Sequence, residues 1–261
     1  MKLSVSNIGW NLENNEKILR ELNKKKYDAI EIAPTILIKD NPYDKLEDAK
    51  EIVDRIKNNY NLEISSMQSI WYGKQGNIFN IDEAKSFIEY TKKAIDFART
   101  IGCKNLVFGC PKNRVKPDNY NKNDIIYFFK ELGEYAVLNN TVVAIEPNPT
   151  IYGTNFINYT SQAFEFAQKV NSEGIKVNVD FGTIIQNNEN LDEIAKNIGL
   201  VNHIHISEPN LEKVKQRPEH KVLYEILKEK DYNNYISIEM KQTENINDLL
   251  ETVEYVKGIF G

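Results

Sequence analysis

Charged and polar side chains follow several short apolar runs of this sequence, at the point where each run ends. In chain order these residues are Glu31, Glu146, Asp180, His205 and Glu239. A strand that is buried on both faces should be apolar almost throughout, so a charge at its end needs a specific reason. Carboxylates and neutral imidazoles bind divalent cations and transfer protons. The residue types and their positions therefore predict a metal-binding or reactive site.

The predicted metal-binding set has three carboxylates and one imidazole: Glu146, Asp180, His205 and Glu239. If the acids converge, each pair about 4 Å apart repels by roughly 4 kcal/mol at an effective dielectric constant near 20. A cation bound between them relieves this repulsion, and the histidine favours a cation over proton uptake. We expect one divalent metal ion. The oxygen-rich set suits Mn²⁺, Mg²⁺ or Co²⁺ best, with Zn²⁺ as an alternative.

The elements that must position these residues are eight short apolar runs, which begin roughly 25 to 45 residues apart and alternate with amphipathic helical patterns. The predicted strands are Leu3–Ile8, Ala29–Ile32, Leu62–Met67, Asn105–Phe108, Thr141–Ile145, Ile175–Val179, Val201–Ile206 and Tyr235–Ile238. The predicted helices are Asn14–Lys25, Lys45–Tyr60, Ile81–Ile101, Asn123–Leu138, Ser161–Val170, Leu191–Ile198, Lys221–Lys230 and Ile246–Ile259. Asn80 is a predicted N-cap, and Gly102 and Gly174 are predicted left-handed C-caps.

Eight β-α repeats without a break in composition predict the α/β class and a single (β/α)₈ TIM barrel over residues 1–261. The chain length of 261 residues is close to the roughly 250 typical of this fold. An open doubly wound sheet is the alternative, but neither a GxGxxG nor a GxxxxGK[ST] nucleotide-binding motif occurs. In a barrel, the predicted site residues would meet at the C-terminal ends of the strands.

The amino-acid composition of the chain indicates which classes of binding partner are disfavoured. The net charge is −5 and no long basic block occurs, which argues against nucleic acid and anionic membranes as partners. Cys103 and Cys110 form no CxxC motif, and two cysteines do not suggest a disulfide scaffold. We find no signal peptide pattern and no apolar run of the roughly 18 residues that a membrane span needs. We expect a cytoplasmic protein, and the sequence leaves a homo-oligomer open.

Six segments at the predicted strand ends carry a resemblance to a known family. They are Ile30–Thr35, Phe108–Arg114, Ile145–Pro149, Val179–Thr183, His203–Pro209 and Ser237–Lys241. These segments resemble the sugar phosphate isomerase/epimerase superfamily, the xylose isomerase-like TIM barrels, over essentially the whole chain. The resemblance implies that the metal ligands are Glu146, Asp180, His205, which is the second His of the HxH segment, and Glu239.

Two positions depart from the pattern of many ketose 3-epimerases in this superfamily. Those enzymes carry a His three residues after the aspartate and an Arg six residues after the ligand histidine, whereas this sequence has Thr183 and Leu211. The superfamily also includes hydroxypyruvate isomerases, inosose dehydratases and endonuclease IV-type repair enzymes. The resemblance is therefore specific for the superfamily and much less specific for the substrate.

The resulting hypothesis is a metal-dependent isomerase or epimerase of a small carbohydrate, either a sugar, a sugar phosphate or a keto-sugar. A proton would move next to a carbonyl through a metal-stabilised enediolate, with Glu146 and Glu239 as the acid/base pair. From strand alternation we predict that the His203 side chain points away from the ligand His205. The residues predicted to bind the substrate are Glu31, Gln68, Lys112, Arg114 and Lys241.

Three alternative functions follow from the same pattern. A dehydratase of an inosose-like keto-polyol would use the same metal, and sequence does not separate it from an isomerase. An abasic-site endonuclease is disfavoured, because it needs several further histidines and a basic face, whereas the chain has three His and a net negative charge. A non-catalytic sugar-binding barrel is disfavoured because binding alone does not require paired carboxylates around a metal.

Overall fold

The computed structural model describes residues 1–261 as eight parallel strands that close into a barrel, in the order β1 to β8 around the ring. The strands are β1 Lys2–Ser6, β2 Ala29–Ile32, β3 Glu63–Met67, β4 Asn105–Phe108, β5 Val142–Ile145, β6 Ile175–Asp180, β7 Val201–Ile206 and β8 Tyr235–Ile238. Pairing of Leu3 with Ile236 and of Val5 with Ile238 closes the ring between β1 and β8. The predicted (β/α)₈ barrel is confirmed, and the open doubly wound sheet is excluded.

Ten α-helices follow the strands, and most of them cover the outside of the barrel. They are α1 Asn15–Lys24, α2 Pro34–Leu37, α3 Leu46–Tyr60, α4 Ile81–Thr100, α5 Lys122–Leu138, α6 Thr160–Val170, α7 Phe181–Asn187, α8 Asp192–Lys196, α9 Pro218–Glu229 and α10 Asn247–Phe260. None of them is both long and apolar enough to span a membrane.

Helix α4 illustrates why the sequence folds this way. Its buried residues Phe87, Ala94 and Ala98 recur at helical spacing and form one apolar face. At its start, the Asn80 side chain accepts a hydrogen bond from the backbone N–H of Asp82 at 3.1 Å, as an N-cap does. The apolar face and the cap together fix where the helix begins and which side packs on the barrel.

The barrel interior contains several buried polar side chains. The Ser4 and Ser65 hydroxyl oxygens lie 2.6 Å apart, although their strands β1 and β3 are not neighbours in the sheet. The Asn202 side chain likewise donates to Asn105 Oδ1 at 2.7 Å, from β7 to β4. These contacts cross the interior, where TIM barrels more often pack branched aliphatic side chains. Each buried polar atom then needs a partner, so the network restricts how the strands can be aligned.

The strand register shifts at two places, between Ile30 and Glu31 of β2 and between Val177 and Asn178 of β6. Such irregularities bend a strand and re-aim its side chains, and they are common next to active sites. Both shifts lie within three residues of a predicted site residue. Helix α7, which the sequence analysis missed, begins directly after Asp180 at the end of β6, with Asp180 as its N-cap.

The prediction for Gly174 is wrong, whereas Gly102 has the predicted left-handed φ of 72°. The left-handed residue that ends α6 is Asn171, with φ of 50°. Gly174 lies further along, where its Cα approaches the backbone of Gly133 in α5 so closely that a Cβ would overlap the Gly133 carbonyl oxygen. Close packing, and not backbone conformation, explains this glycine.

We predict that Gly174→Ala lowers the free energy of unfolding by about 1–3 kcal/mol, because α5 and the start of β6 must separate to admit the methyl group. Chemical denaturation measures the change. Gly258→Ala is the control, since a Cβ there meets nothing within 4 Å, and it should leave stability unchanged or raise it by up to about 1 kcal/mol. Equal stability of the two variants would contradict the packing explanation.

Candidate metal centre

The four predicted metal ligands meet at the C-terminal end of the barrel. Glu146 follows β5, Asp180 ends β6, His205 lies near the end of β7 and Glu239 follows β8. One potential ligand atom from each of these residues lies within 4.8 Å of those of the other three, and all four side chains are buried. Four successive strands thus deliver one ligand each to a common point.

His205 has no solvent-exposed surface and presents a different nitrogen to each side. Its Nδ1 atom lies 2.9 Å from Glu146 Oε1 and 3.2 Å from Glu239 Oε2, whereas Nε2 lies 2.9 Å from Glu31 Oε2. Nδ1 is therefore the nitrogen that faces the cluster. Burial opposes protonation of the ring, but the charges of Glu239 and Glu31 and the hydrogen bond with Glu146 outweigh it and raise the pKa of His205 well above its usual value.

The Asp180 carboxylate is held by groups that follow β6 and β7. Its Oδ1 atom accepts a hydrogen bond from the Thr183 backbone N–H at 2.6 Å and lies 2.7 Å from the Thr183 hydroxyl. The Ser207 hydroxyl donates to Oδ2. Burial and the negative charge of Glu146 raise the pKa of Asp180 above its usual value. These contacts fix the orientation of the carboxylate while the neighbouring acid works against its ionisation.

Glu146 is fixed by two amide side chains and by a close backbone approach. Asn178 donates to its Oε1 atom at 2.7 Å, and Asn148 lies 3.2 Å from Oε2. Gly109 allows this arrangement, because a Cβ at that position would lie 2.7 Å from Glu146 Oε2. The buried guanidinium of Arg114 donates to the Glu146 carbonyl oxygen at 2.8 Å and to Asn148 Oδ1 at 2.7 Å.

The donor set fits a divalent cation. Burial raises the pKa of Glu239 to about 7, and the charges of Glu146 and Asp180 add to the effect. The three acids have ligand atoms within 4.8 Å of one another and therefore repel. A cation bound between them and the imidazole nitrogen would offset this repulsion. Carboxylate oxygens and one imidazole are suitable ligands for Mn²⁺, Mg²⁺ or Co²⁺.

A cavity of about 200 Å³ reaches the cluster. Glu146, Asp180 and Glu239 line it, and the rest of its wall includes Tyr152 and Leu211. A small molecule in this cavity could contact the three carboxylates directly. Leu211, at one of the two positions that depart from the ketose 3-epimerase pattern, presents an apolar side chain there, whereas Thr183, at the other, is fully buried against Asp180.

Of the five residues predicted to bind the substrate, only Gln68 lines this cavity. Glu31 has no exposed surface and lies behind His205, where Gln68 Nε2 donates to its Oε1 at 3.1 Å. Arg114 is also fully buried, and its hydrogen bonds are to protein groups. Lys112 and Lys241 are exposed on loops outside the cavity. Substrate contacts from all five residues stay predictions.

The predicted direction of His203 is wrong. Its Nε2 atom lies 3.2 Å from Glu31 Oε2, and its ring centroid lies 5.3 Å from that of His205. Side chains alternate along a strand, so residues two positions apart point to the same side. Both histidines therefore face the barrel interior, and both contact Glu31.

The sequence analysis also missed residues that orient the cluster, among them Gly109, Asn148, Asn178 and Ser207. A signal for two of them was present, because Asn178 precedes Asp180 by two positions in β6 and Ser207 follows His205 by two positions. Strand periodicity places such residues on the same side as the ligand. No comparable signal marks Gly109, whose role depends on a side chain 37 positions further along the chain.

We predict that affinity for a divalent cation rises with pH. The raised pKa values of His205 and Glu239 mean that protons occupy ligand atoms near neutral pH in the metal-free protein, and a cation must displace them. Affinity for Mn²⁺ should increase as the pH rises through about 7, by up to about tenfold per pH unit for each displaced proton. Calorimetric titration in buffers of different ionisation enthalpy measures both the Mn²⁺ affinity and the number of protons that binding displaces. An affinity that does not change with pH would contradict the prediction.

We predict that Gly109→Ala weakens Mn²⁺ binding by at least about tenfold, because the added methyl group must displace the Glu146 carboxylate. Gly199→Ala is the matched control, since a Cβ there meets nothing within 4 Å. Calorimetry measures the affinity, and circular dichroism checks that both variants are folded. Unchanged affinity in a folded Gly109→Ala protein would show that the close approach does not matter.

Comparisons with known proteins identify the fold and the family of the chain. Among solved structures with the same fold, the 3-keto-D-glucoside 4-epimerase of E. coli has a TM-score of 0.78 at 18% identity, over 99% of both chains. The D-psicose 3-epimerase of Clostridium cellulolyticum H10 has a TM-score of 0.77 at 13% identity, over 100% of this chain and 99% of its own. A family 2 AP endonuclease from Brucella melitensis has a TM-score of 0.74 at 17% identity, over 98% of this chain and 99% of its own.

At these identities the similarity concerns the fold alone. No curated protein is close enough in sequence to give a match. A family model does match, and it covers residues 19–258, which is most of the chain. The chain therefore belongs to the xylose isomerase-like TIM barrel family.

Proposed function

We propose that this protein is a divalent-metal-dependent sugar epimerase or isomerase, in which Glu146, Asp180, His205 and Glu239 hold the cation. The observation that carries the proposal is the convergence of these four side chains within 4.8 Å at a cavity that could admit a small molecule. Two of the structures with a similar fold are epimerases of a 3-keto-D-glucoside and of D-psicose. We infer the same class of reaction, proton transfer next to a sugar carbonyl.

In this proposal Glu146 and Glu239 exchange protons with the substrate. Both lie close to His205 Nδ1, at 2.9 Å and 3.2 Å, and both line the cavity. One carboxylate can remove a proton from a carbon while the other returns it from a different direction. A bound divalent cation would supply Lewis-acid stabilisation of the negative charge that develops next to the carbonyl.

The surrounding residues hold the proposed base and acid in place. Asn178 and Asn148 orient Glu146, and Arg114 in turn holds Asn148. These three supporting side chains are buried, so their hydrogen bonds are shielded from bulk water. Such preorganisation matters because a reacting atom must stay within hydrogen-bond reach of the base. Mn²⁺, Mg²⁺ and Co²⁺ are the cations that this donor set favours.

Two substitutions test the assignment. Glu146→Gln and Glu239→Gln should each reduce proton exchange by roughly 10²–10⁴-fold, because glutamine cannot act as a base. The measurement is deuterium incorporation next to the carbonyl in D₂O, with Mn²⁺ and a panel of keto-sugars that includes D-psicose and D-fructose. Glu225→Gln, an exposed position on α9, is the control and should exchange at the wild-type rate.

Retained exchange in both cluster variants would contradict the acid/base assignment. The product mass separates the proposal from the dehydratase alternative. An epimerase or isomerase leaves the mass of the sugar unchanged apart from the incorporated deuterium, whereas a dehydratase removes water. Exchange that persists after chelation of divalent cations would contradict the metal dependence.

A further inference from the structure

A second cavity opens beside the metal-binding cluster, at the same end of the barrel. It has a volume of about 630 Å³, and its walls are loops that follow β1, β2 and β3. Ser69, which follows β3, lines both this cavity and the smaller one that reaches the cluster. The two cavities are therefore neighbours that share Ser69 in their walls, and an elongated ligand could extend from one to the other.

The volumes of the two cavities indicate which part of such a ligand each cavity would hold. The cavity at the cluster, about 200 Å³, is smaller than the roughly 300–1,000 Å³ of typical small-molecule sites. The second cavity lies within that range by itself. A ligand with a small reacting part at the carboxylates and a larger second part fits this pair better than a single compact ring does.

The wall formed by the loop after β3 is well anchored. The buried Trp71 ring stacks on Phe87 with centroids 4.1 Å apart, and its Nε1 donates to the Thr91 hydroxyl at 2.9 Å. The Tyr43 hydroxyl donates to the carbonyl oxygen of Ile70, the residue before Trp71, at 2.9 Å.

The next residue, Tyr72, lines the second cavity and is 71% exposed. Its neighbours fix the loop, so the ring is presented to the cavity without a large further loss of chain entropy on binding. An aromatic ring with a hydroxyl edge can pack against an apolar face while its polar end stays hydrated.

Charged groups of both signs line the same cavity. Lys39, Asp40 and Lys74 form no salt bridge, although the Lys74 ammonium lies 4.0 Å from the Tyr90 ring centroid. An anionic ligand would attract the two lysines but would be repelled by Asp40. Hydroxyl groups both donate and accept hydrogen bonds, so a neutral polyol can use all three side chains.

We propose that the second cavity binds a neutral sugar unit attached to the reacting sugar, so that the substrate is a disaccharide or another glycoside. This inference rests on the proposed function, because it assumes that the reacting sugar lies at the carboxylate cluster. The unit in the second cavity packs on the Tyr72 ring and bonds to the surrounding polar side chains.

Binding of four probes to the Mn²⁺-loaded protein tests the inference: D-fructose, the ketose disaccharides maltulose and palatinose, and D-fructose 6-phosphate. We expect at least one disaccharide to bind about tenfold or more tightly than D-fructose. Tyr72→Ala should remove that advantage and leave the affinity for D-fructose unchanged, whereas Tyr72→Phe should keep it. Tyr127→Ala, at an exposed tyrosine of α5 outside both cavities, is the control and should bind like the wild type.

The outcomes separate this inference from the proposed function. Metal-dependent binding of D-fructose without a gain for either disaccharide would overturn the second sugar site and leave the proposed function standing. Preferential binding of D-fructose 6-phosphate would overturn it in favour of an anionic group. A disaccharide advantage that survives Tyr72→Ala would also overturn it, whereas failure of every probe to bind would overturn the proposed function together with this inference.

Discussion

The structure depends on how three mutually repelling carboxylates are held together at one end of a closed sheet. A parallel barrel brings the C-terminal ends of all its strands to one face, so β5, β6 and β8 deliver Glu146, Asp180 and Glu239 to one point. The imidazole between them and the hydrogen bonds from Asn178 and neighbouring side chains offset part of the repulsion. Burial and the remaining repulsion raise the pKa of Asp180 and Glu239, and these two effects are the physical reason that the site suits a cation.

Support for the cluster extends across the barrel to residues of β1 and β2 and to the residue that follows β3. Glu31 lies against Nε2 of His205, Gln68 donates to Glu31 at 3.1 Å, and the same amide donates to Ser6 at 2.7 Å. A buried polar chain of this kind is stable only when its members are satisfied, and it then restricts side-chain orientation more tightly than aliphatic packing does. Gln68 precedes Ser69, which lines both cavities, so the hydrogen bonds that support the cluster begin beside the cavity walls.

The loops divide the C-terminal face into two regions. Strands β5 to β8 supply the carboxylates and the imidazole, while the loops after β1 to β3 form the larger cavity. This division lets the loops vary in shape and charge without disturbing the ligands, because the ligands lie on or directly after rigid strands.

Local patterns in the sequence predicted most of the secondary structure and the four residues of the cluster. The β-branched runs gave the bounds of β2, β4, β7 and β8 as observed, since strand periodicity is a property of neighbouring residues. Only the tertiary structure decided which distant groups meet. Glu31 meets His205 across 174 positions, and Arg114 turns inward to the protein instead of toward the cavity. Barrel closure and strand register decide these contacts, and neither can be predicted from the spacing of residues that are close together in the sequence.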